Sequence, residues 1–144
     1  MSESYARQLS KKQILELRSI LSDLPPYVKD FMRSIETTTQ HRTRIGYAHD
    51  IKYFFEYLQS ENPALKKKEM YEITCDDLNC LTARDFEEYL DYLSYYVRNG
   101  REYTNDNASK KRKLVGIRSF FKYLYINDMI NQNVTEKVKT PKIK

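Results

Sequence analysis

Two clusters of cationic and hydroxyl side chains, far apart in the sequence, carry the residue types that bind phosphate. The first comprises His41, Arg42, Thr43, Arg44 and Tyr47, and the second comprises Ser109, Lys110, Lys111, Arg112 and Lys113. Each cluster falls at the predicted start of a helix, where free backbone N–H groups and the positive end of the helix dipole favour an anion. The sequence therefore predicts two anion-binding helix ends, which would form a clamp for a duplex if they met on one surface.

The helix that follows the second cluster has an apolar side and a cationic side. Its apolar residues recur at helical spacing, at positions Leu114, Ile117, Phe121 and Leu124. Lys111, Arg118 and Lys122 form a second stripe, which could meet the phosphate backbone of a nucleic acid. Charge runs are equally common on helix faces that meet only water, so this helix alone leaves both interpretations open.

Catalytic arrangements are scarce in this sequence. His41 and Arg44 form an H-x-x-R pair, but no nucleophile accompanies them. A position at the start of a helix, or a contact with phosphate, explains the pair better than catalysis does. No P-loop, nucleophile elbow or dinucleotide-binding glycine set occurs. Neighbouring acids such as Asp76 and Asp77 point about 100° apart on a helix, which makes them poor acid–base partners. We therefore predict no catalytic residue in this chain.

The cysteine and histidine content predicts neither a metal site nor a cofactor. Cys75 and Cys80 are the only cysteines, and His41 and His49 lie far from them in the sequence. Zinc sites usually need a second ligand pair at close spacing, so two reduced thiols are expected. No secretory leader and no apolar run near 18 residues occurs, which predicts a cytoplasmic protein without a membrane partner.

The charge is distributed unevenly along the 144 residues, whose net charge is +5. Residues 69–97 contain eight acids and one Arg, whereas residues 98–144 contain twelve Lys or Arg and four acids. A nucleic acid would be repelled by the first segment and attracted to the second.

The elements that must position these residues are predicted to be helices. Only three Gly and several long amphipathic runs occur, which favours helices over sheet. The predicted helices cover residues 11–23, 26–36, 40–60, 83–98, 108–126 and 134–138. Ser10 is predicted to cap the first helix and Thr82 the fourth, and the first two helices are expected to form an N-terminal appendage. Residues 101–107 are predicted to be a polar, mobile loop.

Three stretches of the sequence resemble, in the same order, the core-binding, SAM-like domain of tyrosine recombinases, which include phage integrases and Xer-type proteins. Residues 43–58, with the pattern T-x-x-x-Y-x-x-D-I-x-x-F-x-x-Y-L, resemble the opening helix of that domain. Residues 109–124 resemble its later DNA-facing helix. Asn133, followed by Pro141-Lys142, is similar to the segment that leaves this domain toward the catalytic domain. Val134 stands directly after Asn133, where that segment usually has Pro. Residues 24–28 and the helix after them are similar to the N-terminal extension of Xer proteins from Gram-positive bacteria.

The resemblance implies an all-α fold, a compact bundle of four to five helices with an N-terminal helical extension. Residues 1–36 would be the extension, 37–139 the core-binding domain and 140–144 the start of a linker to a catalytic domain. The family cleaves DNA with Arg, Lys, His and Tyr residues of that second domain, and this chain ends before it would begin. The chain is therefore expected to bind a half-site of a double-stranded recombination site without cutting it.

The resemblance also implies which residues contact DNA and which partners take part. By motif, these contacts are Thr43, Arg44, Tyr47, Ser109, Arg112 and Lys113, with Lys110 and Lys111 nearby. The cationic cluster and the cationic stripe described above add Arg42, Arg118 and Lys122 to the expected DNA contacts. Phosphate contacts would dominate affinity, and base readout would be limited to Arg112 or Lys113. The isolated domain is expected to be a monomer, with sister recombinase protomers as partners in the full-length protein. Arg44 and Arg112 must lie on the same side of the bundle for this interpretation to hold.

Three other interpretations remain. A helical protein–protein adaptor would use the apolar and Tyr-rich faces and would leave the basic helix in water. A helix-turn-helix regulator needs a short turn before its recognition helix, and the connector at residues 99–108 is long for one. The third is a DNA-cleaving enzyme, and the lack of a catalytic residue pattern argues against it.

Overall fold

Six helices and one short hairpin make up residues 2–143, the part of the chain that the computed structural model describes. The helices are α1 (Ser2–Leu21), α2 (Pro26–Ser34), α3 (His41–Glu61), α4 (Cys75–Asn79), α5 (Ala83–Tyr92) and α6 (Asn107–Ile126). The hairpin strands are β1 (Tyr95–Arg98) and β2 (Arg101–Thr104), and short 3-10 turns occupy Met70–Glu72 and Val134–Lys137. The mostly helical architecture confirms the predicted fold class.

Side-chain caps define where the later helices begin. Thr82 and Asp85 form a reciprocal capping box at the start of α5, in which the Thr82 N–H donates to Asp85 Oδ2 over 2.7 Å. The predicted cap at Thr82 is thereby confirmed. Thr74 and Asp77 form the same motif at α4, and Asp106 caps α6 by accepting from the Ser109 N–H over 2.9 Å. Each cap satisfies backbone donors that the helix itself leaves free.

The core is built where α3 packs against α6. The Phe54 ring lies 5.0 Å from the ring of Phe86 on α5 and 6.3 Å from that of Phe121 on α6, measured between centroids. Phe55 lies 6.3 Å from Phe120. These rings are fully or almost fully buried, so each removes a large apolar surface from water.

The N-terminal helices differ from the prediction at their ends. Helix α1 begins at Ser2 rather than after Ser10, because the residues before Ser10 continue as a helix and leave Ser10 in its interior. Helix α2 ends at Ser34 and contributes to the same core, since Phe31 lies 5.5 Å from Phe120 between ring centroids. The appendage expected at residues 1–36 is thus packed against the bundle, and a domain boundary at residue 36 stays a prediction.

The largest correction concerns residues 93–104. The helix predicted over 83–98 ends at Tyr92, and residues 95–104 form an antiparallel hairpin in which Tyr96 pairs with Tyr103. Asn99 and Gly100 form its turn with φ values of 53° and 74°, which suits the two-residue turns that join twisted strands. The predicted mobile loop at 101–107 is therefore wrong: its residues belong to β2, to the cap of α6 and to the first residue of α6.

The described residues contain neither a membrane-spanning helix nor a cluster of metal ligands. Among the helices of residues 2–143, none has the length and apolarity needed to cross a bilayer. The described part of the chain also holds no group of three or more His, Cys, Asp or Glu side chains placed to bind a metal ion.

Candidate nucleic-acid interface

A close approach of α3 to α6 brings members of the two predicted clusters together. A Cβ atom at Gly116 would lie 2.8 Å from Asp50 Oδ2 and 3.1 Å from Tyr47 Cδ1, so a larger residue there would push against these two side chains of α3. Tyr47 of the first cluster therefore lies beside α6. Arg112 and Lys113 of the second cluster lie close enough to Asp50 to act on its charge, so parts of both clusters border the same helix seam.

Nine of the eleven predicted contact residues are exposed or half-buried. Five are exposed, namely Arg42, Thr43, Lys111, Arg112 and Lys122, whereas Tyr47, Ser109, Lys110 and Arg118 are half-buried. Within residues 2–143, no hydrogen bond or ion pair engages the side chains of the four exposed cations. These cations are available to an external anion.

Arg44 is turned inward, which corrects its predicted role as a phosphate contact. The residue is only 3% exposed. Its guanidinium donates to the carbonyl oxygens of Glu36, over 2.8 Å, and of Thr39, and it lies 2.7 Å from Nδ1 of His41. Arg44 therefore holds the turn between α2 and α3 together and has no free donor face for DNA. His41 is occupied by the same contact.

Lys113 is also withdrawn from the surface, which corrects its predicted role in base readout. It is 8% exposed, and its Nζ lies 3.3 Å from Ser109 Oγ and 5.8 Å from the centroid of the Tyr53 ring. Burial and the neighbouring Arg112 lower the pKa of Lys113, whereas the charge of Asp50 raises it. The ammonium lies in the seam between α3 and α6 instead of projecting from it.

Asp50 is an acid beneath the cationic surface. Its side chain is 5% exposed, and burial raises its pKa to about 7 even though Arg112 and Lys113 act in the opposite direction. When the carboxyl is ionised, its charge offsets part of the positive charge of the two neighbouring cations. The sequence offered no sign of this, because Asp50 lies three residues beyond Tyr47, the last member of the first cluster, and nothing local shows that it faces α6.

The remaining predicted contacts serve local structure. The Lys110 ammonium donates to Ser94 Oγ over 2.6 Å, and Ser109 Oγ donates to Asn105 Oδ1 over 2.7 Å. Both residues thereby join the start of α6 to the base of the hairpin. Arg118 donates to Thr140 Oγ1 over 2.6 Å and to the carbonyl oxygen of Val138, so its guanidinium faces the C-terminal segment. Of the three cations in the predicted stripe, Lys111 and Lys122 keep side chains without a bonding partner among the described residues, whereas Arg118 is engaged.

The two helix starts differ in their free backbone donors. The carboxylate of Asp106 already accepts from the first turn of α6, so a phosphate cannot take that position without displacing it. Gln40 at the start of α3 makes no side-chain cap. Asp106 thus takes one of the first-turn donors of α6, whereas the start of α3 has no side-chain cap, so α3 offers the more open helix end, and anion binding at either end stays a prediction.

The hairpin, which lies beside this surface, was not predicted from the sequence. Asn105 Nδ2 donates to the Leu93 carbonyl over 2.8 Å and closes the base of the hairpin beside α6. On the hairpin face toward α3, Tyr96 stacks between Tyr92 and Tyr103 at 4.9 and 5.0 Å, and Arg98 pairs with Glu56. The Asn99-Gly100 dipeptide was the available signal, since it is a strong hairpin turn between strand-forming residues.

Comparison with known proteins assigns the chain to a domain family. The family model described as the phage integrase SAM-like domain matches residues 23–140. The tyrosine recombinase XerC of Caldanaerobacter subterraneus subsp. tengcongensis is 27% identical over 125 residues, which cover 83% of this chain and 35% of that protein. The tyrosine recombinase XerC of Leptospira interrogans is 26% identical over 110 residues, which cover 76% of this chain and 29% of that protein. The chain thus spans about a third of the length of these curated relatives. No solved structure matches it significantly.

Proposed function

Because the chain belongs to the phage integrase SAM-like domain family, we propose that it binds double-stranded DNA as the DNA-binding domain of a site-specific tyrosine recombinase. This membership confirms the resemblance drawn from residues 43–58 and 109–124. The function would be to grip one half of a recombination site during DNA integration or recombination. The observation that supports the proposal is the close packing at Gly116, which sets Tyr47 of the first cluster beside the helix that carries the second cluster.

The contact set that we propose follows from exposure and from hydrogen bonding. Arg42 and Thr43 at the open start of α3 would bind phosphate with help from free backbone N–H groups. Lys111 and Arg112 on α6 would bind the same duplex, and Arg112 is the candidate for guanine recognition because its planar fork can donate twice. Tyr47 would contribute at the seam, and Lys122 lies further along α6.

The proposal includes no strand cleavage by this chain. Its relatives are tyrosine recombinases about two and a half times its length, and the matched family describes the SAM-like domain alone. We propose that cutting and joining belong to a further domain of the parent recombinase and that the isolated domain is a monomer. Sister protomers would be partners of the full-length protein, and the compartment would be the cytoplasm, where bacterial DNA lies.

A duplex titration at several salt concentrations tests the proposal. A labelled duplex of about 30 base pairs and random sequence suffices, because phosphate contacts supply most non-specific binding. We expect affinity in the micromolar range or weaker, with a steep negative salt slope. Arg112→Ala should reduce the magnitude of that slope by about 0.9, the value for one phosphate contact. Lys67→Ala, which removes an exposed cation from the connector after α3, is the matched control and should leave the slope unchanged. Absence of binding at low salt, or equal effects of the two variants, would overturn the proposal.

The hairpin provides the observation that favours the alternative, a protein–protein adaptor. Its outer face leaves Tyr95 56% exposed and Val97 53% exposed, and such neighbouring apolar side chains can contact a protein partner. An adaptor would bind its partner with little dependence on salt and would not retain DNA. The same titration therefore separates the two functions.

A further inference from the structure

The C-terminal segment runs back along α6, and two side chains of α6 hold it. Arg118 donates to Thr140 Oγ1 over 2.6 Å and to the carbonyl oxygen of Val138. Asn107, at the first turn of α6, donates from Nδ2 to the carbonyl oxygen of Lys142 over 2.9 Å. The segment therefore travels from the middle of α6 toward its start, in the direction opposite to the helix.

The lengths of the two elements agree with an extended segment. Residues 107 and 118 are separated by about 16 Å along a helix that rises 1.5 Å per residue. Residues 138 to 142 span about 13 Å when extended, and the Arg118 and Asn107 side chains bridge the remainder. Pro141 also favours an extended conformation at the preceding Thr140. Val138 is only 4% exposed, so the segment is anchored in the core at the point where it begins.

We propose that Arg118 is a positioning residue, which straps residues 138–142 to α6 and thereby places Lys142 on the proposed DNA-binding surface. Lys142 is exposed, and its backbone is held beside the first turn of α6, one turn before Lys111. The strap adds a cation to the helix start at which the Asp106 carboxylate already accepts from the Ser109 N–H. The strap stands on its own contacts, whereas the DNA contact of Lys142 rests on the proposed function.

The chemistry of the strap needs arginine. The two nitrogens of one planar guanidinium reach a hydroxyl and a backbone carbonyl two residues apart, and a lysine ammonium lacks that fixed fork. Arg118→Lys should therefore keep the charge but fail to hold the segment. A phosphate contact, in contrast, would retain most of its effect with lysine.

Backbone order parameters from ¹⁵N relaxation test the strap without DNA. In the native protein the amides of Lys139, Thr140 and Lys142 should give values near 0.85, typical of rigid backbone. Arg118→Ala and Arg118→Lys should lower them below about 0.6, while the amides of α3 and α6 stay unchanged. Lys122→Ala is the matched control, because it removes an exposed cation one turn further along α6, and it should leave the segment rigid. Low order parameters in the native protein would overturn the strap.

A double-mutant cycle tests the placement of Lys142. If Arg118 acts through Lys142, then Arg118→Ala, Lys142→Ala and the double variant should each reduce the magnitude of the salt slope of duplex binding by about the same amount, near 0.9. Additive losses near 1.8 for the double variant would show that Arg118 binds phosphate itself and would overturn the positioning role. If the native protein fails to bind the duplex, the proposed function fails together with the Lys142 contact. The strap is then judged by the order parameters alone.

Discussion

The starts of α3 and α6 are similar in sequence and different in what they leave available. Both carry several cations, and in both one cation is buried: Arg44 bonds to the α2–α3 turn, and Lys113 lies in the helix seam. The α3 start has no side-chain cap, whereas the Asp106 carboxylate at the α6 start accepts from the Ser109 N–H and places a negative charge there. The number of cations at a helix start therefore overstates its capacity to bind an anion, because some of those cations are buried and bond within the fold.

The close approach of α3 to α6 at Gly116 gives the largest expected effect on stability. Gly116→Leu should destabilise the protein by about 3 kcal/mol or more, because its Cβ would already lie 2.8 Å from Asp50 and the rest of the side chain has no space. Urea unfolding followed by circular dichroism measures this loss. Gly46→Ala is the matched control in α3, since nothing lies within 4 Å of the added Cβ, and it should stabilise the helix by about 1 kcal/mol. Equal effects of the two changes would disprove the close approach.

The second largest effect is expected at the start of α3, where the neighbouring cations Arg42 and Arg44 differ in burial. Arg44→Ala should cost about 2–3 kcal/mol of unfolding free energy, because it leaves the carbonyls of Glu36 and Thr39 without a charged donor. Its duplex affinity, corrected for the folded fraction, should equal that of the native protein. Arg42→Ala should show the reverse, with native stability and a weaker salt slope. Chemical denaturation combined with the duplex titration separates the two, and an exchange of these phenotypes would contradict the assignment.

The sequence determined much of this architecture, for physical reasons. Helices predicted over residues 40–60 and 108–126 agree within about a residue with the structure, because long amphipathic runs at helical spacing specify a helix strongly. The hairpin was missed because Leu93 and Val97 continue the helical spacing of α5, although Leu93 is 1% exposed and Val97 is 53% exposed. The strand preference of residues 95–97 and the Asn-Gly turn prevailed over that periodicity.

The individual contact residues could be predicted less well than the helices that carry them. The directions of Arg44, Lys113 and Arg118 depend on groups distant in sequence or on backbone carbonyls of turns, which no local pattern encodes. Long cationic side chains also reach several alternative partners, so the helical position alone does not fix where the charge lies. Packing decided which cations stayed free.

The buried acid at the seam predicts a modest pH dependence. The pKa of Asp50 is raised in the folded state to about 7, so the folded protein binds a proton that the unfolded chain has released between about pH 4 and pH 7. The Asp50 contribution should therefore make the native protein lose stability as pH rises through that window. Asp50→Asn should lack this loss, and the difference should be about 1–2 kcal/mol between pH 5 and pH 7. Urea unfolding of both proteins at the two pH values checks it, and parallel pH profiles would contradict it.

The cap at α6 gives the smallest expected change. Asp106→Ala should cost about 1 kcal/mol of stability, because the first-turn N–H of Ser109 loses its acceptor. The same change removes a negative charge and opens the helix end, so duplex affinity should rise severalfold at low salt. Thr82→Ala provides the control, since it removes a cap of α5, which lies in the acidic segment, and should leave affinity unchanged. A fall in affinity with Asp106→Ala would show that phosphate does not approach this helix end.

The most direct test of the account compares two double variants by the salt dependence of duplex binding. The central claim is that the exposed cations of α3 and α6 bind the duplex together, whereas the buried cations of the same helix starts do not. Arg42→Ala with Arg112→Ala should reduce the magnitude of the salt slope by about 1.8, twice the value for one phosphate contact. Arg44→Ala with Lys113→Ala should keep the native slope in the fraction that remains folded. A native slope for the first pair, or a reduced slope for the second, would contradict the claim.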